Sequence, residues 1–236
     1  MTVYRFSSNF TRLDVELAMQ NGTHTLFRGD QVPIHPVLSD PDFSSRQFAK
    51  AAPWTPIIML DLLSFSRLLS EVERTQRPKL DPLDYTETLL SFLYRLVEDL
   101  PLGQGNNKHR GLYGDVIYLA MLAFMTTLLP EYTRDGSRCP FLSDRLGNAI
   151  QGFWVSAAES EPSLFLWILF TSGISVLNLT DHHWLSPLIA HTCERLKLDS
   201  WTAIQQQLSK FPWISAFHEA PGCRLWEKVR LSRGIP

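Results

Sequence analysis

What this sequence has little of narrows its class before any motif is considered. It carries only three cysteines in 236 residues, Cys139, Cys193 and Cys223, an odd number at wide, unpatterned spacings. Neither a disulfide framework nor a thiolate metal knuckle is encoded, and this usage fits a reducing compartment. Charge of one sign is also lacking, because 22 Lys+Arg stand against 24 Asp+Glu. A domain built to grip phosphate backbones carries a clustered basic excess, so direct nucleic-acid binding is not expected. The N-terminal stretch has no apolar run and already holds Asp14 and Glu16, which argues against a secretory or transit peptide. Without secretion, the glycosylation triplets at Asn9 and Asn178 carry no meaning.

Long hydrophobic runs are scarce as well. The most apolar stretch, LFLWILFTSGISVL from Leu164 to Leu177, spans roughly 21 Å as a helix, short of the ~30 Å hydrocarbon layer of a bilayer. No membrane span is expected. Thr171, Ser172, Gly173 and Ser175 are small enough to let another helix approach, and Ser160 and Pro162 suit a cap and first turn. The stretch reads as a buried core helix. No window alternates with period two between hairpin signals, so strands are not expected either.

What is present is apolar helical periodicity and large rings. The chain is 44% hydrophobic, with seven Trp and fourteen Phe, enough to build one sizeable core without disulfides or metals. Residues 1–55 are turn-rich, with Asn21-Gly22, Gly29-Asp30 and three prolines in VPIHPVLSDPDF. They read as an irregular arm with a short helix from Thr11 to Met19. Residues 56–236 read as a helical domain. IIMLDLLSFSRLLSEVE is followed by a helix opening at Asp81-Pro82, then by LYGDVIYLAMLAFMTTLL, apolar nearly all round. Leu146, Ile150, Phe153 and Ala157 mark an amphipathic helix from Ser143. Shorter helices follow at Leu185–Leu196 and after a Ser200 cap, and a last amphipathic piece is CRLWEKVRL. The expected fold class is all-α, a multi-helix bundle with an irregular N-terminal arm.

Candidate chemistry is sparse. His182, His183, His191 and Cys193 are zinc-ligand types, but positions 191 and 193 point to different sides of a helix. They read as structural or surface residues. GQGNNKHRGLYGD, Gly103 to Asp115, has the glycines of a phosphate cradle but lacks its Gly-Lys-Ser/Thr ending and follows a helix, so it reads as a connection. Glu98 and Asp99 are adjacent and splayed, Cys139 has no activating partner nearby in sequence, and no Gly-x-Ser-x-Gly elbow occurs. No catalytic, cofactor-binding or metal-ligating residue is assigned. The series Trp167, Trp184, Trp201, Trp213 and Trp226 reads as core packing, with a ligand pocket among the rings as the alternative.

The order of these C-terminal motifs resembles the fungal-specific transcription factor domain, the regulatory region of fungal zinc-cluster transcription factors. The matching residues are Leu166, Trp167, Gly173 and Ile174; Leu198, Ser200 and Trp201; Phe211 and Trp213; and Leu225 and Trp226. LYGDVIYLAMLAFMTTLLP is similar to the family's Leu-Tyr-Leu helix, and the match covers roughly residues 80–229. The six-cysteine cluster that docks family members on DNA, with its basic flanks, does not occur in these residues. Ser172 replaces a frequent glycine, and Pro221-Gly222 is a place for the last helix to break. The resemblance implies a helical regulatory protein without its own DNA-binding domain, acting through contacts with a protein partner, as a homodimer or a heterodimer with a related regulator. It further implies a small-molecule effector and work in the nucleus, with the cytoplasm as the other location. The alternative is an accessory protein or small-molecule-binding enzyme of a fungal secondary-metabolite cluster.

Overall fold

The computed structural model describes residues 8–26, 57–75, 81–99, 111–129 and 139–232. Among them are nine helices and no strand: α1 Ser8–Asn21, α2 Ile57–Thr75, α3 Pro82–Asp99, α4 Gly111–Thr126, α5 Pro140–Ser160, α6 Pro162–Ile174, α7 Leu185–Arg195, α8 Trp201–Leu208 and α9 Ser215–Ser232. The chain is therefore all-α, as its periodicities predict.

Two helices form the centre. α4 is buried continuously from Asp115 to Thr126, and α6 from Leu164 to Ser172. Neither has a polar face, and a helix that is apolar all round must be enclosed by others. α4 packs on α3, α5 and α6, while α6 packs on α5, α7, α8 and α9; α1 lies on α3 and α5, and α2 on α3 and α9. No described helix is long and apolar enough to cross a membrane. Two hydroxyls at the end of α6 bond back to its carbonyls, whereas the buried Thr171 hydroxyl has no partner among the described residues. Ser172 donates to the Ile168 carbonyl at 2.6 Å, and Ser175 to the Thr171 carbonyl at 2.6 Å.

Helix boundaries follow proline chemistry, with some shifts from the sequence reading. α5 begins at Pro140 behind Cys139, one turn before Ser143, because proline fits the first helical position. Ser160, expected as the cap of α6, is instead the last residue of α5, and Glu161 is the cap. Pro162 favours this, since a proline disfavours the helical region for the residue before it. At the start of α3, Asp81 caps as expected and accepts the Leu83 N–H at 2.8 Å.

Within the stretch read as an arm, the expected short helix runs from Ser8 to Asn21 and is built into the core. Val15, Ala18 and Met19 are buried. Tyr94 of α3 donates its hydroxyl to the Asp14 carboxylate at 2.8 Å, and the other Asp14 oxygen accepts the Leu26 N–H at 2.8 Å. Burial, reinforced by the Asp14 charge, raises the pKa of Tyr94, which keeps the phenol a donor. The helix closes on Gly22 in the left-handed region, against which the Phe141 ring packs.

The last helix differs most from expectation. α9 does not break at Pro221-Gly222 but runs through both residues. Proline removes one backbone hydrogen bond. Gly222 sits where an added Cβ would lie 2.6 Å from Trp201 and 3.2 Å from Trp213, so the close seat of the helix on these two rings holds it together.

Candidate functional site

The sequence candidates for metal chemistry do not converge. His182 packs edge-on against Trp184 and its Nδ1 lies 3.1 Å from the Asn178 carbonyl; His191 is exposed, edge-on to Trp154; Cys193 is buried. No group of three His, Cys, Asp or Glu among the described residues is placed to hold a metal. Cys139 is buried at the start of α5. The Asn178 side chain accepts the Asp181 N–H and the Thr180 hydroxyl, both at 2.7 Å, and so shapes the turn before α7. Residues 103–110 of the glycine-containing segment, and the side chains of Glu98 and Asp99, lie outside the described residues.

One contact has the distance of a nucleophile and its base. The Thr127 hydroxyl lies 2.7 Å from Nε2 of His218, a residue that sequence reasoning passed over. Its proton logic is that of a core linkage. Nδ1 accepts the Ile214 N–H at 2.9 Å, so the neutral ring carries its proton on Nε2 and donates to Thr127. Thr127 in turn donates to the Phe124 carbonyl at 2.6 Å. Burial pushes the imidazole down to about 3, and the ring is fully enclosed beside Phe124 and Trp213. A base needs a free lone pair facing its substrate, and both ring nitrogens are committed. No sequence signal could have exposed this pair, whose members are 91 residues apart.

Trp167, Trp201 and Trp213 of the tryptophan series form a seam between α6, α8 and α9, whereas Trp184 lies apart from it as the cap of α7. Trp167 is fully buried and donates its indole N–H to the Pro212 carbonyl at 2.8 Å, fixing the turn between α8 and α9 to the central helix. The Ser200 hydroxyl caps α8 by accepting the Ala203 N–H. Gly173 allows α9 to approach α6, since an added Cβ would meet Leu225 at 2.7 Å. Small residues in the apolar run thus admit a neighbouring helix, as the sequence predicts.

Beside this seam lies a cleft of about 650 Å³ between α2 and the α8–α9 region. One wall is a face of α2 formed by Leu63, Ser66, Arg67, Ser70 and Glu71, whose spacing of three and four brings them to one side of the helix. The other wall is Gln205, Gln206 and Ser209, with Phe211 and Trp213 completing the apolar part. The volume falls in the range of small-molecule sites, but polar and charged side chains dominate the lining, with Leu63, Phe211 and Trp213 as its apolar part. Arg67 keeps its charge although partial burial lowers its pKa. The sequence signal for the α2 wall was the change from apolar to polar at Ser66, Arg67, Ser70 and Glu71. Nothing in it located the opposite wall.

Fold and site define an all-α domain with a ring-lined cleft, in which none of the sequence candidates forms a catalytic constellation among the described residues. Comparisons with protein-family models, curated proteins and solved structures find no match.

Proposed function

We propose that this chain is a regulatory helical domain of the kind its C-terminal motifs resemble, the fungal-specific transcription factor domain. It works through protein contacts, with a second copy or a related regulator as partner, rather than by gripping DNA. The observation that carries this reading is the convergence of the matching residues. Trp167, Gly173, Ser200, Trp201, Trp213 and Leu225 lie apart in sequence, yet they lock α6, α8 and α9 together. The balanced charge supports a protein partner over a phosphate backbone. So do Leu13 and Leu17, exposed one turn apart on α1, and Trp154 and Val155, exposed on α5. On this reading the domain works in the nucleus, with the cytoplasm as the alternative location.

Titration of purified protein with duplex DNA tests the reading. The expected result is no binding tighter than the weak non-specific level of about 10⁻⁴ M at physiological salt. Sub-micromolar binding that falls steeply with added salt contradicts it. The cleft favours a second reading, a small-molecule-binding accessory protein of a biosynthetic cluster, and it also suits an effector site within the regulatory reading.

A further inference from the structure

We propose that the cleft between α2 and the α8–α9 region binds an uncharged pyranose sugar of one or two rings. This deepens the small-molecule reading of the cleft and does not rest on the regulatory one, so its failure leaves the DNA and transcript tests untouched. The choice of ligand follows from which lining groups are uncommitted. Arg67 and Glu71 already have interaction partners within the protein, so neither charge is on offer. Ser66 donates to the Leu62 carbonyl at 2.7 Å and Ser209 to the Gln206 carbonyl at 2.9 Å. The side chains of Ser70, Ser215, Gln205 and Gln206, by contrast, are bonded to no described residue. What is left for a ligand is two hydroxyls and two amides, all neutral and each able to donate and accept.

These groups disfavour two classes of ligand. A charged molecule would leave water for a site with no counter-charge to spare. A purely apolar one would strip water from the hydroxyls and amides without replacing its hydrogen bonds. A polyol replaces them in kind, because its own hydroxyls donate and accept. Phe211 and Trp213 then favour a ring over an open chain. The C–H groups on one face of a pyranose form a weakly positive apolar surface, which complements the negative face of an aromatic ring. Trp213 also carries an orphaned donor: its indole N–H is buried and has no acceptor among the described residues, whereas a buried indole ordinarily finds one.

The test is calorimetric titration with D-glucose, cellobiose and maltose, beside sorbitol, which has the hydroxyls without the ring, and glucuronate, which adds a charge. The proposal expects at least one of the three sugars to bind saturably with a Kd of about 10 mM or tighter, and sorbitol to bind about tenfold more weakly or not at all. Gln206 is exposed and Ser70 half-buried, so Gln206→Ala and Ser70→Ala should fold normally, which unchanged melting temperatures verify. A loss of sugar affinity of about fivefold or more in at least one of them supports the cleft as the site. No saturable binding of any of the three sugars, sorbitol binding as tightly as the best of them, glucuronate binding more tightly than all of them, or affinity unchanged in both variants would each overturn it.

Discussion

His218 shows how much of this fold depends on one side chain with both ring nitrogens engaged. Replacing it with alanine removes a fully buried ring, orphans the Ile214 N–H and takes the Nε2 donor from the Thr127 hydroxyl, which keeps its bond to the Phe124 carbonyl. A loss of about 3 kcal/mol is expected in urea unfolding at pH 7. The pH dependence follows from the direction of the shift. The folded state holds the imidazole at about 3 against an ordinary 6.5, so the unfolded chain binds the extra proton first. The contribution is complete above pH 6.5 and declines as the pH falls toward 3, at about 1.4 kcal/mol per unit. Unfolding curves at several pH values between 7 and 4 should show this slope in the unaltered protein, and a shallower one in His218→Gln. Gly222 sets two effects against each other. Alanine is the better helix former by about 1 kcal/mol, but its Cβ would press on Trp201 at 2.6 Å and Trp213 at 3.2 Å. Overpacking at such a seam costs about 1 to 3 kcal/mol. Gly222→Ala should therefore lower the melting temperature, and a rise would show that the rings yield freely.

At the scale of elements, α1 is tied to α3 through the buried Tyr94 hydroxyl and is the place to loosen the bundle selectively. Tyr94→Phe removes the hydroxyl that bonds Asp14 and leaves a buried carboxylate short of one donor. A cost of about 1 to 3 kcal/mol is expected. Hydrogen exchange should accelerate first in residues 11–21, while α6 stays protected. Uniform acceleration through α6 would mean that α1 is inseparable from the rest. The same helix shows where sequence reading falls short. Its apolar positions are few, and Leu13 and Leu17 face outward, so the pattern gave a short helix but no sign of its docking. Signals were strongest where one force dominated, as in the continuous apolar runs of α4 and α6 and the Asp81 and Ser200 caps. α9 was harder to read. Proline and glycine announce a break locally, whereas Trp201 and Trp213, which hold the helix across them, belong to other segments.

At the scale of the whole molecule, the nine described helices are built around two of their number, α4 and α6, and the seam of rings beside them joins the C-terminal third into one body. The all-α class was legible because it depends only on periodicity and on the absence of alternation. The cleft was not, because its walls come from opposite halves of the chain and their meeting is a property of packing. That body offers binding surfaces, and the convergence of Trp167, Trp201 and Trp213 on α6, α8 and α9 is the ground for the proposed regulation through contacts. Deletion of the chain in its native host, with transcripts and metabolites profiled from the same cultures, tests this most directly. The account predicts that transcripts of a defined set of genes change together with the metabolites those genes govern. A metabolite that disappears while every transcript holds its level would contradict it.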